Sequence, residues 1–349
     1  MEQKRVSAAD VAQKAGVSRT TVSFVVNNTP GKNISEDTRQ RVLAAMQDLG
    51  YTPDERARRV AMTRRQKVGL YVRHTQYVYT DAFIVRTIEG MSQAVNRYRV
   101  QLIIQPISQS FSGSYVDLAR QDKLDGIILI NTQADDAALS QLIDARIPLV
   151  SLDDLGTNYD VDQVFVDNRG AARDVVRYLI GLGHTRIGMI THAALSFTAS
   201  AARLAGYQDA LDEAGLAFDT TLVRYADFSE FSGHDAMIEL LAVDERPTAV
   251  FAGNDVVAYG ALLACREAGV VVPDDISVVG FDDDYLSRYM NPALTTVALP
   301  AAGMGSAAVS LLVERLSDTA ENRKYRRLVL PTHISTRASA AAPPHQRTR

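Results

Sequence analysis

The chain has 349 residues, of which 46% are hydrophobic, and a formal net charge of −4. This length exceeds what one compact core accommodates, and the balanced composition excludes a disordered chain, so we expect a small domain and a larger, two-lobed one. The single cysteine, Cys265, excludes an internal disulfide and favours a reducing, cytoplasmic location. No apolar run is long enough to cross a bilayer and no signal-peptide core follows Met1, so a secreted or membrane-spanning protein is not expected.

The charge is distributed unevenly along the chain. Residues 1–66 contain 12 basic and 7 acidic residues, a net charge of +5, whereas the remaining 25 basic and 34 acidic residues give −9. A basic module joined to an acidic body directs one end of the molecule towards phosphate groups. This asymmetry favours a nucleic acid as the partner of the N-terminal module.

Three short helices are predicted before residue 51. The stretch Ser7–Asp10 has the pattern of a capping box at the start of the first helix, and Gly16 ends that helix. Ser18 is placed to cap a second helix that runs to about Asn27, and Ser35 caps a third. This spacing is typical of a helix-turn-helix, although spacing alone leaves open a small helical bundle with a solvated, charged face.

The stretch from residue 11 to residue 27, VAQKAGVSRTTVSFVVN, resembles the signature of the LacI/GalR family of bacterial transcriptional regulators. The resemblance implies that Arg19, Thr20 and Phe24 read base edges in the major groove. Phe24 stands where many members carry an arginine, which implies contact with a thymine methyl group in place of one polar contact. The other residues assigned to DNA on this helix are suited to capping or to phosphate contacts: Ser18, Thr21, Ser23 and Asn27.

Residues 51–66 form a basic linker, for which a flexible tether is the plainest interpretation. The linker is similar to the hinge helix of the family, with matches that include Pro53, Arg58 and Ala61. The resemblance implies that it folds on DNA, pairs with its dimer mate in the minor groove and wedges an apolar side chain between base steps. Val60 holds the place of the usual leucine, which implies a weaker wedge or a smaller kink.

From residue 68 onward, short apolar runs alternate with amphipathic stretches, which is typical of parallel sheets covered by helices. Strands are predicted at 68–72, 100–104, 126–130, 148–152, 186–190, 248–251 and 276–280. Helices are predicted at 84–98, 169–182, 199–214 and 256–268. The pattern occurs in two blocks, which indicates two doubly wound lobes with a ligand cleft at the carboxyl ends of the strands.

The second half of the chain also resembles the family, for example at residues 272–283, VPDDISVVGFDD. The likeness covers nearly the whole chain and implies an α/β body like that of periplasmic sugar-binding proteins, with closure by hinge bending. The implied division is helix-turn-helix domain 1–52, hinge helix and linker 53–66, effector-binding and dimerisation domain 67–340, and disordered tail 341–349. Lobe one takes about 67–166 and 300–330, and lobe two takes about 167–299 and 331–340.

Polar residues that follow predicted strands are candidates for ligand binding, because parallel strands end at one edge of a sheet. Arg73, Asn131 and Asp153 follow strands of lobe one, and Asn254 and Asp282 follow strands of lobe two. Arginine, aspartate and asparagine side chains can each bind two hydroxyl groups of a sugar. The expected effector is therefore a sugar or a sugar derivative.

The resemblance adds three residues that do not follow strands. It implies Arg203 as a strong ligand contact, Phe228 as an aromatic that stacks on the ligand, and Phe83 as a weaker candidate. Plainer explanations stay open: Arg203 as an exposed helix residue, Asn254 and Asp282 as helix caps, and Phe228 as core.

Arg73 departs from the small polar residue that is familiar at its position. Together with the neighbouring His74, it suggests by charge alone an acidic or phosphorylated ligand. Binding of a neutral sugar that Arg73→Ala leaves unaffected would contradict this hypothesis.

Other classes of protein fit less well. The glycines at 181–188 do not form a dinucleotide-binding motif, no catalytic motif is present, and the six histidines lack metal spacing, so neither an enzyme nor a cofactor or metal is expected. A periplasmic receptor would need a signal peptide and no helix-turn-helix. A regulator that needs a corepressor, or that activates in response to a non-sugar metabolite, stays open, because the sign of coupling depends on the lobe geometry that the ligand favours.

One helix-turn-helix reads only half a site, so two subunits related by a two-fold axis would read a palindrome. We therefore expect a homodimer, and the tail from residue 338 lacks the apolar heptads of a tetramerising coiled coil. The sequence predicts a cytoplasmic, nucleoid-associated repressor. Its expected partners are double-stranded operator DNA and a small-molecule effector, and a membrane is not among them.

Overall fold

A computed structural model of the protein describes residues 7–26, 34–51, 65–74, 78–108, 110–133, 136–317 and 324–344. The chain forms two compact units, Met1–Arg65 and Gln66–Arg349. Four of the residues predicted to bind DNA lie outside the described residues: Asn27, Arg58, Val60 and Ala61. Within the described residues, no helix is both long enough and apolar enough to cross a membrane.

The N-terminal unit contains three helices, α1 (Ala8–Ala15), α2 (Arg19–Val26) and α3 (Glu36–Leu49). The predicted capping box is present, because the Asp10 amide donates to Ser7 Oγ at 3.4 Å and the Ser7 amide donates to the Asp10 carboxylate at 2.8 Å. Gly16 ends α1 in the left-handed conformation, at φ 64°. The three helices share one apolar core, formed by Val11, Ala12, Ala15, Val22, Val25, Val42 and Ala45.

The larger unit is built on two six-stranded sheets, one in each lobe. The strands of lobe one are β1 (Lys67–His74), β2 (Gln101–Ser108), β3 (Gly126–Ile130), β4 (Leu149–Ser151), β5 (Asp162–Val166) and β11 (Arg327–Leu330). The strands of lobe two are β6 (Ile187–Thr191), β7 (Val223–Tyr225), β8 (Ala249–Ala252), β9 (Ser277–Asp282), β10 (Thr295–Ala298) and β12 (His333–Ser335). The orders are β11-β5-β4-β3-β1-β2 and β12-β10-β9-β8-β6-β7, and only β10 and β12 pair antiparallel among these strands.

Helices cover both faces of each sheet. Those of lobe one are α4 (Ala82–Tyr98), α5 (Tyr115–Asp122), α6 (Ala137–Asp144) and α11 (Ala301–Ser317). Those of lobe two are α7 (Asn168–Gly181), α8 (Thr198–Glu213), α9 (Glu230–Leu241) and α10 (Asp255–Glu267). Helices α4 and α11 lie so close that a Cβ added to Gly90 would stand 1.8 Å from the Ala302 carbonyl oxygen. This approach requires glycine at position 90.

The predicted fold class is confirmed, and each of the seven predicted strands and four predicted helices of the body is present. The strand at 126–130 has the predicted bounds, and at least one end of each other element is shifted. Five further strands and four further helices were not predicted. Strand β5 shows one reason: it begins with Asp162 and Gln163, which are polar but buried. The Asp162 carboxylate lies 2.6 Å from Arg315 Nη2 and accepts a hydrogen bond from the Arg326 amide. In the sequence, this aspartate indicates a loop, but partners from distant segments compensate its charge and allow it to be buried in a strand.

The chain passes between the lobes three times, at 166–168, 298–301 and 330–333. After the third crossing, Ala341 contacts lobe two, although the sequence analysis places it at the start of a disordered tail. Ser277 Oγ donates to the Ala341 carbonyl at 3.0 Å, and His184 Nε2 lies 2.8 Å from the same oxygen. Residue type does not reveal such contacts, because they are made by backbone groups.

Candidate functional site

A cleft that is partly open to solvent lies between the two lobes at the carboxyl ends of their strands. Asn131 follows β3, Asn254 follows β8 by two residues, and Asp282 ends β9. Seven of the eight predicted ligand residues line this cleft: Phe83, Asn131, Asp153, Arg203, Phe228, Asn254 and Asp282. The arrangement follows the general rule that open α/β sheets bind ligands where their strands end.

Arg203 is the cation of the cleft and is only 6% exposed, so it is not a surface residue of its helix. Its Nε donates to Asn168 Oδ1 at 2.9 Å, its Nη1 donates to the Gly253 carbonyl, and its guanidinium carbon stands 3.8 Å from the Phe281 ring centroid. Burial lowers the pKa of Arg203 to about 10, so the side chain stays protonated at neutral pH. No described residue accepts a hydrogen bond from Nη2, which leaves that nitrogen available to a ligand.

Two buried carboxyl groups, those of Asp153 and Asp282, lie in the electrostatic range of Arg203. The Asp153 carboxylate accepts a hydrogen bond from the Thr132 amide at 2.7 Å. Burial raises the pKa of Asp153 to about 6 and raises the pKa of Asp282 well above its usual value, and Arg203 opposes both shifts. Buried carboxyls of this kind gain from a ligand that donates hydrogen bonds to them.

Strained backbone marks three of the cleft residues. Asn131, Phe228 and Asp282 have φ values of 59°, 72° and 133°, in the region that non-glycine residues rarely occupy. Such conformations persist where the surrounding structure enforces them, and they cluster at binding sites. The strain supports a binding role for these positions independently of their side-chain chemistry.

Asn254 and Phe228 each have a structural role and also line the cleft, so both of the explanations that the sequence offers for each residue apply. Asn254 Oδ1 accepts the Val257 amide at 2.9 Å, so the residue caps α10 while its side chain also lines the cleft. The Phe228 ring packs in a T-shaped contact against Phe197, with ring centroids 5.1 Å apart, and also forms part of the cleft wall. The aromatic ring is thus held rigidly where it faces a ligand.

Arg73 is the one predicted ligand residue that the structure does not place in the lining of the cleft. Strand β1 continues to His74, and side chains alternate along it, so Arg73 faces the same side as Tyr71, away from the cleft. Arg73 Nη2 donates to Tyr115 Oη at 2.6 Å and to Asp136 Oδ2 at 2.9 Å, in a buried ion pair. The suggestion of an acidic or phosphorylated ligand therefore loses its basis.

Three polar residues of the cleft lining were missed by the sequence analysis: Asp81, Asn168 and His192. Asp81 caps α4 through Oδ1, which accepts the Ile84 amide at 3.0 Å, and its Oδ2 lies 3.4 Å from His74 Nε2. His192 directly follows β6, which is the signal used for the other candidates. Burial lowers the pKa of His192 well below its usual value, so the ring is neutral at pH 7.

The two lobes touch along the rim of the cleft. Gln133 of lobe one forms an isolated antiparallel bridge with Phe197 of lobe two, and the Thr198 amide donates to the Thr132 carbonyl at 3.2 Å. Elsewhere, Arg86 Nη1 of α4 donates to the Asp283 carbonyl at 2.7 Å. These contacts hold the lobes in a closed arrangement.

On the N-terminal unit, helix α2 exposes the residues that the sequence assigns to base reading. Arg19 and Thr20 are exposed and Phe24 is half-buried, while the inward face of the helix belongs to the core. Ser18 caps the helix, because its Oγ accepts the Thr21 amide at 3.1 Å. Arg19 forms no ion pair within the part of the chain that the structure describes. The helix therefore presents a cation and hydroxyl groups to solvent.

Comparison with known proteins identifies the combination of these two units. Residues 8–54 match the family model of bacterial regulatory proteins, lacI family, and residues 176–340 match that of a periplasmic binding protein-like domain. The HTH-type transcriptional repressor PurR of Erwinia tasmaniensis is 35% identical over 336 residues, which cover 96% of this chain and 97% of the relative. The chain belongs to the lacI family. The PurR repressor of Klebsiella pneumoniae (strain 342) is 33% identical over 341 residues, with the same coverage.

Solved structures of lacI-family regulators share the fold. The transcriptional regulator CelR in complex with cellobiose is 33% identical, with a TM-score of 0.70, over 96% of this chain and 100% of that one. The Lac repressor dimer bound to operator and the anti-inducer ONPF is 26% identical, with a TM-score of 0.70, over 97% of this chain and 100% of that one. The family resemblance is confirmed, and the lacI-family chain is a DNA-binding transcriptional regulator rather than an enzyme.

Proposed function

We propose that the protein is a repressor that binds a palindromic operator as a homodimer and changes its operator affinity when a sugar or sugar derivative occupies the interlobe cleft. One observation carries the ligand class: the cleft brings together a guanidinium, two carboxyls and two amides, from Arg203, Asp153, Asp282, Asn131 and Asn254. Vicinal hydroxyl groups can donate to the carboxylates and accept from the guanidinium and the amides.

The aromatic and apolar walls of the cleft support the same ligand class. A sugar ring has an apolar face that packs on an aromatic ring, and Phe228 and Phe83 both border the space that the polar groups surround. The relative CelR is named in complex with cellobiose, a sugar. A polar ligand with one apolar face therefore fits the cleft better than a fully apolar one.

The proposed operator contact is the exposed face of α2. Arg19 can donate two hydrogen bonds to one guanine, and Thr20 can donate to or accept from several base edges. Basic side chains that neutralise phosphates release counterions, so operator affinity should fall steeply with salt concentration. This part of the proposal includes a cytoplasmic, nucleoid-associated location, where operator DNA is found.

The proposed dimer uses apolar side chains that a lone subunit exposes. Phe231 of α9 is 71% exposed, and Tyr285 and Tyr289, whose ring centroids are 5.0 Å apart, are both more than half exposed. In lobe one, Val85 of α4 is also exposed. Large exposed apolar side chains on the helices of both lobes are typical of a protein–protein interface.

We further propose that ligand binding changes the angle between the lobes and thereby the separation of the two hinge segments, residues 53–62, in the dimer. An effector shifts operator affinity only to the extent that it binds one lobe arrangement more tightly than the other. A typical coupling of about 1–3 kcal/mol would change operator affinity by roughly 5- to 150-fold.

The test is selection of operator sequences from random DNA by the full chain, repeated with sugars, sugar phosphates and nucleobases. We expect a palindrome whose enrichment one compound weakens, as an inducer does, or strengthens, as a corepressor does. Arg19→Ala serves as the variant impaired in DNA binding and Arg203→Met as the variant impaired in effector binding. Failure of the full chain to enrich any palindrome under every condition contradicts the proposal.

A further inference from the structure

The side chains that line the cleft include more acidic than basic groups. Asp81, Asp153 and Asp282 are each 7% exposed, and all three border the cleft. Arg203 is the only lysine or arginine among the described side chains that line it. Ionisation of all three carboxyls would give the lining a net charge of −2, and burial, which raises the pKa of Asp153 and Asp282, opposes that ionisation until a cation is bound.

Few groups in or near the cleft could receive an anion. Two nitrogens of Arg203 are bound within the protein, to Asn168 and to the Gly253 carbonyl. Arg73 is turned to the opposite face of β1, where it pairs with Asp136. His192 is neutral at pH 7 because its burial disfavours the imidazolium. An anionic ligand would thus meet carboxylates and one partly occupied guanidinium.

Two buried groups in the lining of the cleft can accept hydrogen bonds from a ligand. The Asp282 carboxyl lines the cleft, and only 7% of the residue is exposed. Nδ1 of His192, which is 5% exposed, has no hydrogen-bond partner in the described ranges. In the tautomer with its proton on Nε2, this nitrogen is an acceptor, and a donor on the ligand would remove the free-energy cost of leaving it unpaired.

Asp81 and Asp282 border the cleft from opposite lobes. Burial is the main cause that raises the pKa of Asp282, Arg203 opposes it, and the charges of Asp255 and Asp81 raise the pKa further, so a cation beside Asp282 would favour its ionised form. Asp81 has one oxygen engaged by the Ile84 amide, whereas the other is 3.4 Å from His74 Nε2, a long contact. That second oxygen contacts His74 through this long bond, and its remaining lone pair can accept a short, charge-assisted hydrogen bond from a ligand.

We propose that the effector carries a protonated amine, as an amino sugar does, and that the carboxylates of Asp81 and Asp282 receive it. An ammonium group has three donors and no acceptor, which matches a site of carboxylates with unfilled acceptor positions. The inference rests on the proposed function of the cleft and narrows its ligand class. Asp81 is the residue on which the preference for an amine over a neutral sugar depends, because it adds a third carboxyl to those of Asp153 and Asp282.

The test is isothermal titration calorimetry of the full chain at pH 6.5 with matched sets of sugars. Each set contains an amine, an alcohol and an acid on one ring: glucosamine, glucose and glucuronic acid, and the corresponding compounds of the galactose and mannose series. We expect the amine to bind at least about tenfold more tightly than the alcohol of its series, and the acid to bind most weakly. An alcohol or an acid that binds as tightly as its amine overturns the proposal.

The variant Asp81→Asn tests the residue, because asparagine retains the cap on α4 while removing the charge. We expect the ratio of amine to alcohol affinity to fall at least about fivefold in Asp81→Asn. The ratio should stay unchanged in Asp174→Asn, which removes a carboxylate from the exposed surface of α7. An unchanged ratio in Asp81→Asn overturns the assignment of that residue.

Operator binding, measured in parallel, separates this inference from the proposed function. If a neutral or acidic sugar binds as tightly as its amine and shifts operator affinity, the proposed function is supported and the proposal of an amine-bearing effector is contradicted. If none of the nine compounds binds, the amine proposal fails for these rings, while palindrome selection still decides whether the chain is an effector-controlled repressor.

Discussion

Helix α2 and the interlobe cleft are both proposed to bind a partner, but their polar side chains lie in opposite environments. On α2, Arg19 and Thr20 are exposed, and a buried face of small apolar residues holds the helix in place. In the cleft, Arg203 and Asp282 are almost wholly buried, and burial shifts the pKa of both. Binding and stability can therefore be altered separately on α2, whereas in the cleft each functional side chain also affects folding.

Arg203→Ala should have the largest effect. The substitution removes the cation that faces two buried carboxyls and the packing against Phe281, so we expect the free energy of unfolding to fall by about 3–5 kcal/mol. The operator affinity should also cease to respond to the effector. Urea denaturation measures the first effect, and effector titration of operator binding measures the second. A variant as stable as the parent would contradict the expectation that cleft side chains, unlike those of α2, also affect folding.

Arg73→Met tests whether buried charge and ligand binding can be separated in lobe one. Because Asp136 loses its partner, we expect the free energy of unfolding to fall by about 3 kcal/mol. Effector affinity, measured by calorimetry, should change by less than about threefold, since Arg73 faces away from the cleft. A loss of effector binding as large as that of Arg203→Met would contradict the assigned orientation.

Asp153→Asn should change the dependence of stability on pH. The pKa of Asp153 is raised to about 6 in the folded chain, above its value of 3.8 in the unfolded chain, so the folded state binds this proton more tightly. The free energy of unfolding therefore falls as pH rises from about 4 to about 6, by roughly 2–3 kcal/mol for this group. Asparagine does not titrate, so the variant should gain stability relative to the parent across that interval.

Thermal melts of both proteins without ligand, at intervals between pH 4 and pH 7, measure this difference. Carboxyls with lowered pKa values, such as that of Asp219, act in the opposite direction but are common to both proteins. A difference in stability that does not vary with pH would show that Asp153 titrates normally.

Arg19→Ala should have the smallest effect on folding and a clear effect on DNA binding. We expect operator affinity to fall by roughly 1–3 kcal/mol, with relaxed preference at one base pair. The free energy of unfolding should stay within about 0.5 kcal/mol of the parent, because the side chain is exposed. Binding isotherms on the selected operator and on a variant of it measure the first effect, and denaturation measures the second.

Helix α2 and the cleft also differ in how far the sequence could predict them. The helices of the N-terminal unit were predicted because their signals are local: Ser7, Ser18 and Ser35 each bind an amide three residues away. The cleft was predicted where a polar residue follows a strand, as at Asn131 and Asn254. Such signals require no knowledge of distant segments.

Positions that depend on packing were not predicted. The orientation of Arg73 depends on where β1 ends, and a shift of one residue along a strand moves a side chain to the other face. Asp81 becomes a cleft residue only because α4 is placed beside lobe two. Strands β11 and β12 complete sheets whose other strands lie far earlier in the chain, so no local pattern reveals their partners.

The bridge between Gln133 and Phe197 has a kinetic consequence. Phe197 also packs against Phe228 of the cleft wall, so we expect that a ligand as large as a sugar enters freely only after the bridged rim opens. At low ligand concentration, the observed rate of binding should rise in proportion to that concentration. At high ligand concentration, it should level off at the rate at which the rim opens. A substitution that weakens the bridge would raise that plateau, so the time taken to respond to an effector is set by contacts that the effector itself does not make.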